Sequence, residues 1–520
     1  MYNEGRSIGG FRSDFTEGTV TLLYKKGVRS EVRNYRPITL LNSDYKILTR
    51  ILAHRSLSLV TQWVSNEQIG FVPFTFIAET TRFIKQLQQY IDDEDTEGLL
   101  IFLDMEKAFD RVSWKYLKQA LEALGHTTPY MEWIGALYNE RRPPKRKIYA
   151  NGDFSRVYTI HQGTAQGCPL SPLLFLAVME ALTRLIKTDG ELRGIPIEGR
   201  EHFLNMFADD TMLALLGISQ IPRLNHIMHI FYLATNMKEN MSKREFLGLG
   251  NLGNVDPTLV NPVESWEYNE DVKDFIVPNW KRPGEWAISL GAPIGNLCGK
   301  FGTFCRGLYT KGKHQLTLAK RVSGRGFSSK HSILNGKYYG KFRYWLWSML
   351  LPMEMDQAIR EDAKHFLWLR KPKIESDELG TKGSIGKWVA KDVEYNRVKL
   401  GGLGALHWKN HSTAFLINWI TRLFHPRKGL WKELVLHWLK PHGKEALLLD
   451  LPKTYRKTIL RNIPEQYLRT CVESFWKLKI KPHPNHKPES WEEVAAIPIL
   501  NNGLIKFRVR YFNRVVWSLP

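Results

Sequence analysis

The chain has 520 residues, with 74 Lys and Arg against 52 Asp and Glu, a net charge of +22 and 43% hydrophobic residues. That balance suits a globular protein of several domains and excludes a disordered chain. The charge excess suits a polyanionic partner, nucleic acid or an acidic membrane surface, while the lack of eighteen uninterrupted apolar residues argues against a membrane span. Cys168, Cys298, Cys305 and Cys471 form no Cys-x-x-Cys pair. Free thiols in a reducing compartment are expected, not a zinc or disulfide framework, and no signal peptide is expected.

In chain order, residues 19–24 have strand composition. Ser43 and Asp44 are predicted helix caps, with Tyr45, Leu48, Ile51, Leu52 and Leu59 recurring at helical spacing behind them. Residues 99–103 are a short unbroken apolar run, which predicts a strand buried on both faces. Ser113 caps a predicted helix over 114–124, and a second follows over 129–141. Residues 147–150 and 157–160 flank Asn151-Gly152-Asp153, a strong hairpin signal. Pro172 opens a predicted buried helix that runs to about Lys187 although Glu180 and Arg184 interrupt it. Residues 203–206 and 211–216 flank Phe207-Ala208-Asp209-Asp210 and predict a tight hairpin with the two acids at its tip. Residues 251–285 hold acids, Pro and Asn without periodicity and read as a long loop or insertion.

Adjacent carboxylates repel, so Asp209 and Asp210 are either a solvated turn or the two sides of a cation site. The buried run at 99–103 ends at Asp104. If that strand lies beside the hairpin, three carboxylates meet at one sheet edge. Such a set supplies hard oxygen ligands for Mg²⁺, and two ions about 3.5–4 Å apart clamp the oxygens of an in-line phosphoryl transfer.

Between Ala287 and Met353 there is no Asp or Glu, but there are eleven Lys or Arg, among them Lys311, Lys313, Lys320, Arg321 and Arg325. Tyr338, Tyr339, Tyr344, Trp345 and Trp347 are interleaved with them. Basic groups attract phosphates and aromatic rings stack on bases, so this stretch reads as a nucleic-acid contact. The alternative is a solvated basic helix face with its aromatics in the core.

Three segments in this order carry a family resemblance: Leu103-Asp104-Met105-Glu106-Lys107-Ala108-Phe109-Asp110, Ala165-Gln166-Gly167-Cys168-Pro169-Leu170-Ser171-Pro172, and Phe207-Ala208-Asp209-Asp210. With Asn34-Tyr35-Arg36-Pro37-Ile38 and Gln68-Ile69-Gly70-Phe71 ahead of them, the chain resembles the reverse transcriptases of LINE-type non-LTR retrotransposons. Ser289-Leu290-Gly291-Ala292 resembles the family's primer grip, and the resemblance covers about residues 18 to 435. It implies an α+β right-hand polymerase: fingers, a palm with a ferredoxin-like antiparallel sheet, a helical thumb and a mostly helical C-terminal extension. The implied boundaries are 1–98 for fingers, 99–300 for palm with fingers segments at about 113–165 and the insertion at 251–285, 301–375 for thumb and 376–520 for the extension.

The resemblance further implies an RNA-directed DNA polymerase that extends a 3′-hydroxyl DNA primer on an RNA template, with dNTPs and two Mg²⁺ ions, or Mn²⁺ as a substitute. Asp104, Asp209 and Asp210 fall on the metal-binding positions. Arg36, Lys46, Gln166 and Gly167 fall on nucleotide-contacting positions, and Leu290 and Gly291 on the primer grip. Phe109 falls on the position that excludes a ribose 2′-hydroxyl; read alone, it is equally an ordinary core Phe. Arg36 read alone could be a surface ion pair. Lys243 falls on a position suited to protonating pyrophosphate, and read alone is a solvated Lys. A nuclear location with a cytoplasmic ribonucleoprotein stage is also implied.

Two departures stand out. Val72-Pro73-Phe74 replaces the Pro-Gly-Arg common after the Gln-x-Gly-Phe block, and neither end carries an endonuclease motif. The chain is therefore expected to be a fragment or a decayed copy, and an inactive remnant that binds nucleic acid is the alternative function. An RNA-dependent RNA polymerase is disfavoured by Phe109 and the Gln166 block, and a telomerase-like enzyme by the flanking motifs.

Overall fold

A computed structural model describes residues 2–255, 279–282, 284–295, 301–320, 326–368, 394–395, 404–449 and 451–478, with short strands at 481–482 and 505–506. The chain divides into two compact units. The first comprises Met1–Thr80, Glu94–Pro283 and Ala287–Gly291, and the second Thr81–Asp93, Gly284–Trp286 and Ala292–Pro520.

The first unit begins with α1 (Tyr2–Ser7), α2 (Ser13–Thr16), β1 (Gly18–Tyr24), β2 (Tyr35–Leu41) and the long helix α3 (Ser43–Trp63). Helix α4 (Ala78–Asp93) belongs almost wholly to the second unit. The first unit resumes with β3 (Gly98–Leu103), α5 (Ala108–Arg111), α6 (Trp114–Ala123) and α7 (Thr128–Leu137). Next come β4 (Lys145–Ala150), β5 (Asp153–Phe154), β6 (Tyr158–Thr159), α8 (Ser171–Thr188), β7 (Ile195–Ile197) and β8 (Arg200–His202). It continues with β9 (Leu204–Phe207), β10 (Asp210–Leu215), α9 (Ile221–Thr235), β11 (Glu245–Leu249) and β12 (Asn279–Trp280).

One sheet has the order β12-β11-β3-β10-β9, antiparallel throughout except for the parallel edge pair β11–β12. Every residue of β3 is buried, as its unbroken apolar run requires. Leu99, Ile101 and Leu103 join the main core with Leu174, Phe175 and Val178 of α8 and Leu224, Ile227 and Phe231 of α9. Pro172 sits in the first turn of α8, where a missing N–H costs nothing. The expected interruption of α8 is absorbed: buried Glu180 accepts from Ser65 N–H and Oγ at 2.9 and 2.8 Å and from Arg184 Nε at 2.9 Å.

The second sheet has the order β2-β1-β4-β5, with β6 pairing the far end of β4. Its β4–β5 turn is Asn151-Gly152, both at positive φ, as a two-residue hairpin demands. The segment expected to close that hairpin, 157–160, instead supplies β6 opposite Lys145 and Arg146.

Several other expectations need correction. The N-cap of α3 is Asn42, not Ser43 or Asp44, and its amide donates to Asp14 O at 2.5 Å. Ile51 and Leu59 are exposed; the buried stripe of α3 runs through Tyr45, Leu48, Leu52, Ser56 and Val60. Ser56 fits that stripe because its hydroxyl bonds Leu52 O at 2.9 Å. Helix α7 stops at Leu137, not 141. Within 251–285, a 3₁₀ turn (Gly250–Asn254) and β12 are ordered elements, not loop, while 256–278 lie outside the described residues.

In the second unit, α10 (Phe301–Lys320), α11 (Phe327–Ile333), α12 (Gly340–Leu346) and α13 (Met353–Trp368) share a core with Trp408 and Phe415. Among the described residues, no helix is long and apolar enough to cross a membrane.

Candidate active site

Strand β3 pairs antiparallel with β10, with Leu103 opposite Thr211. The next step outward brings Asp104 beside Asp210. Directly opposite residues have Cβ atoms about 4.5–5.5 Å apart, so the register alone sets these two carboxyls at one sheet edge. Asp210 faces Phe207 across β9–β10, which leaves Ala208 and Asp209 as a two-residue loop. The expected hairpin and the expected strand-end carboxylate are both present, but the tip is Ala208-Asp209, and Asp210, expected at the tip, is the first residue of β10.

The site holds its negative charge reluctantly. Burial raises the Asp209 carboxyl, and Asp104 adds to that. Asp210 still reaches solvent, yet partial desolvation pushes it up to about 6, with Asp209 and then Asp104 reinforcing the shift. Lys25 and Arg36 oppose both shifts. They are neighbours at the loop end of the β1–β2 hairpin: Arg36 pairs with Leu23, and Lys25 N–H donates to Asn34 O at 2.9 Å. Lys25 was missed in the sequence because a Lys-Lys-Gly turn looks like any solvated loop.

Lys243 Nζ donates to Asp104 Oδ2 at 2.6 Å. Its segment is tied to the same place by Asn240 N–H to Asp104 O and by Glu106 N–H to Lys238 O, each at 2.8 Å. Beneath it, buried Arg244 binds both Glu239 oxygens at 2.7 and 2.6 Å and Asn225 Oδ1 at 2.7 Å. The Lys243–Asp104 pair is largely exposed, worth about 0.2–1 kcal/mol, and therefore readily exchanged for a divalent cation. Among the described residues no three His, Cys, Asp or Glu side chains have closed into a metal-holding group. The donor chemistry nonetheless fits a hard cation: three mutually repelling carboxyls, one already neutralised by an ammonium.

The expected nucleotide-contacting residues meet through backbone crossings. Thr39 N–H of β2 donates to Gln166 O at 2.8 Å. Gly167 has φ +121°, and a Cβ there would lie 2.5 Å from Thr39 O, so the crossing needs glycine. Gln166 Nε2 reaches both Asp110 oxygens at 3.4 Å, and Thr164 N–H donates to Phe109 O at 2.7 Å. Burial raises Asp110, opposed by Gln166 and Lys107. Half-buried Phe109 stacks on Phe175 at 4.3 Å and meets Phe71 edge-on at 6.3 Å. Asp110 lay in plain view in the sequence with no role assigned, because its partner is 56 residues away.

Other expected residues are less engaged. Lys46 lies in the first turn of α3, where its N–H donates to Asn42 O at 3.0 Å. Leu290 and Gly291 form a turn at positive φ. Lys311 is exposed on α10, and Lys313 lies over the Tyr309 ring at 5.8 Å. Arg321, Arg325 and the Lys320 side chain lie outside the described residues, as do Lys300 and Cys298. The aromatics of the basic stretch correct the stacking expectation: Tyr338 and Tyr339 are core residues, and Trp347 packs edge-on against Phe415 and Trp419.

Residues 23–268 match the family described as reverse transcriptase (RNA-dependent DNA polymerase). The chain is 26% identical over 476 residues to a transposon TX1 uncharacterized 149 kDa protein of Xenopus laevis, covering 86% of this chain and 33% of that protein. It is 27% identical over 244 residues to a retrovirus-related Pol polyprotein from the type-1 retrotransposable element R2 of Popillia japonica, covering 46% and 33%. A solved telomerase of Candida tropicalis overlays with TM-score 0.37 at 12% identity, covering 90% of this chain and 65% of that one. The chain spans about a third of the length of these curated relatives. Residues 23–268 are therefore similar to reverse transcriptases, and the curated relatives that match are proteins of transposons and retrotransposable elements.

Proposed function

We propose that this chain is an RNA-directed DNA polymerase that extends a 3′-hydroxyl primer on an RNA template. The observation that carries the reading is the β3–β10 register, which brings Asp104 beside Asp210 at the mouth of the Ala208–Asp209 turn. In this reading the sheet β12-β11-β3-β10-β9 is the palm, within 99–300. The β1–β2 hairpin belongs to the fingers in 1–98, to which about 113–165 contributes. The helices over 301–375 are the thumb, and 376–520 the extension. The all-helical character of α10 to α13 supports the thumb assignment.

Asp104, Asp209 and Asp210 would hold two Mg²⁺ ions, which when bound stabilise the charge on the attacking 3′-oxygen and on the departing pyrophosphate. The other residues position and neutralise. Arg36 and Lys25 offer fixed positive charge to the triphosphate, Arg36 through a planar fork of donors. Gln166 and Gly167 present an amide and a close backbone to the incoming nucleotide. The Phe109 ring clashes with a 2′-hydroxyl. Lys243, released from Asp104, gives a proton to the pyrophosphate oxygen as its bond to the α-phosphorus breaks.

The test is extension of oligo(dT) on poly(rA) by the purified chain with dTTP and Mg²⁺. Template-dependent extension is expected. A folded chain that binds RNA in a salt-sensitive way and extends nothing would identify a nucleic-acid-binding remnant instead.

A further inference from the structure

We infer that Gln68 is the positioning residue of the Ala208–Asp209 turn, holding Asp209 and Asp210 where a divalent cation can bridge them to Asp104. The inference rests on the two-ion reading above. The Gln68 side chain is buried, 1% exposed. Its Oε1 accepts from Ala208 N–H and from Gly70 N–H, both at 2.9 Å. Its Nε2 donates to Ala208 O at 3.3 Å. A primary amide offers an acceptor and a donor side by side, and here it pairs with the N–H and C=O of one residue as a neighbouring strand would.

The turn needs this support. Two-residue hairpin loops close unaided when Asn-Gly or Asp-Gly supplies positive φ. Here Ala208 takes φ +59°, a conformation that a non-glycine residue keeps only when its surroundings impose it. The surroundings are the Gln68 segment. Ile69 N–H donates to Met206 O and Met206 N–H to Glu67 O, both at 2.8 Å, so 67–69 runs beside β9 as an extra parallel edge. Gly70 completes the contact: a Cβ on it would lie 2.3 Å from Ala208 N. Gln68 is enclosed by the protein and acts only through the backbone that carries Asp209.

The experiment uses the full chain. Gln68→Met keeps the volume and loses all three bonds. Gly70→Ala keeps Gln68 and drives a methyl into the Ala208 amide. Mn²⁺ binding is read by electron paramagnetic resonance without nucleotide, alongside thermal melts and steady-state extension in Mg²⁺. Both variants are expected to bind Mn²⁺ about tenfold more weakly, the loss usual when a ligand's support is removed. They are expected to lose kcat while KM for primer–template stays unchanged. Wild-type Mn²⁺ affinity in folded Gln68→Met would overturn the inference, as would a kcat loss equal to the loss of folded protein. If Gln68→Met fails to fold, Gly70→Ala decides on the same readouts, and wild-type Mn²⁺ affinity in that folded variant would overturn the inference. A wild-type chain that binds no Mn²⁺ would overturn the two-ion reading itself, and this inference with it.

Discussion

Asp210 shows what the site demands of a single residue. Its carboxyl titrates near 6 in the folded chain, against about 3.9 when unfolded. Between those values the folded state binds the extra proton, so this group favours folding at low pH and its contribution is lost as pH rises through about 6. In metal-free buffer, Asp210→Asn is expected to melt above the wild type at pH 7–8, with the gap closing toward pH 4. A variant that melts below the wild type at pH 8 would contradict the crowded-carboxylate description. Asp104, Asp209 and Asp210 were legible in the sequence because each ends or caps an apolar run. Lys25, Gln68 and Asp110 were not, because their roles depend on which strand ends up beside which.

At the scale of elements, the ring cluster of Phe71, Phe109 and Phe175 joins three segments that are far apart in the chain. Phe109 is thus both a packing residue and the proposed sugar gate, the two readings its sequence left open. Phe109→Val is expected to cost about 1–2 kcal/mol of stability through the cavity it leaves and to raise ribonucleotide incorporation relative to dNTP. Unchanged sugar selectivity in a folded variant would leave only the packing role. Periodicity located β1, β3, α8 and the two hairpin turns well. It placed α7 four residues too long, because no Gly or Pro marks the stop between Leu137 and Pro143, and it gave no sign of the parallel β1–β4 pairing. Strand partners across more than a hundred residues leave no local pattern.

At the scale of the whole molecule, the second unit draws α4 and the C-terminal helices into one core. Arg82 of α4 forms a buried ion pair with Glu465 and lies over the Tyr467 ring at 4.2 Å. Removing one partner strands the other charge in the interior. Glu465→Ala is therefore expected to cost about 3–5 kcal/mol in denaturant unfolding of that unit. An unchanged transition would show that the C-terminal helices are not integral to it. The basic stretch was legible as composition, but composition could not say that Tyr338 and Tyr339 face inward, because core aromatics and stacking aromatics look alike in a sequence. Asp104, Asp209 and Asp210 are proposed to make one cation-dependent site for nucleotidyl transfer. The most direct measurement is single-nucleotide incorporation on a primed RNA template by the wild type and by the Asp104→Asn, Asp209→Asn and Asp210→Asn variants, each verified as folded. Losing several kcal/mol of transition-state stabilisation should slow incorporation by about 10³-fold or more in each variant. A folded variant that incorporates at the wild-type rate would contradict the account.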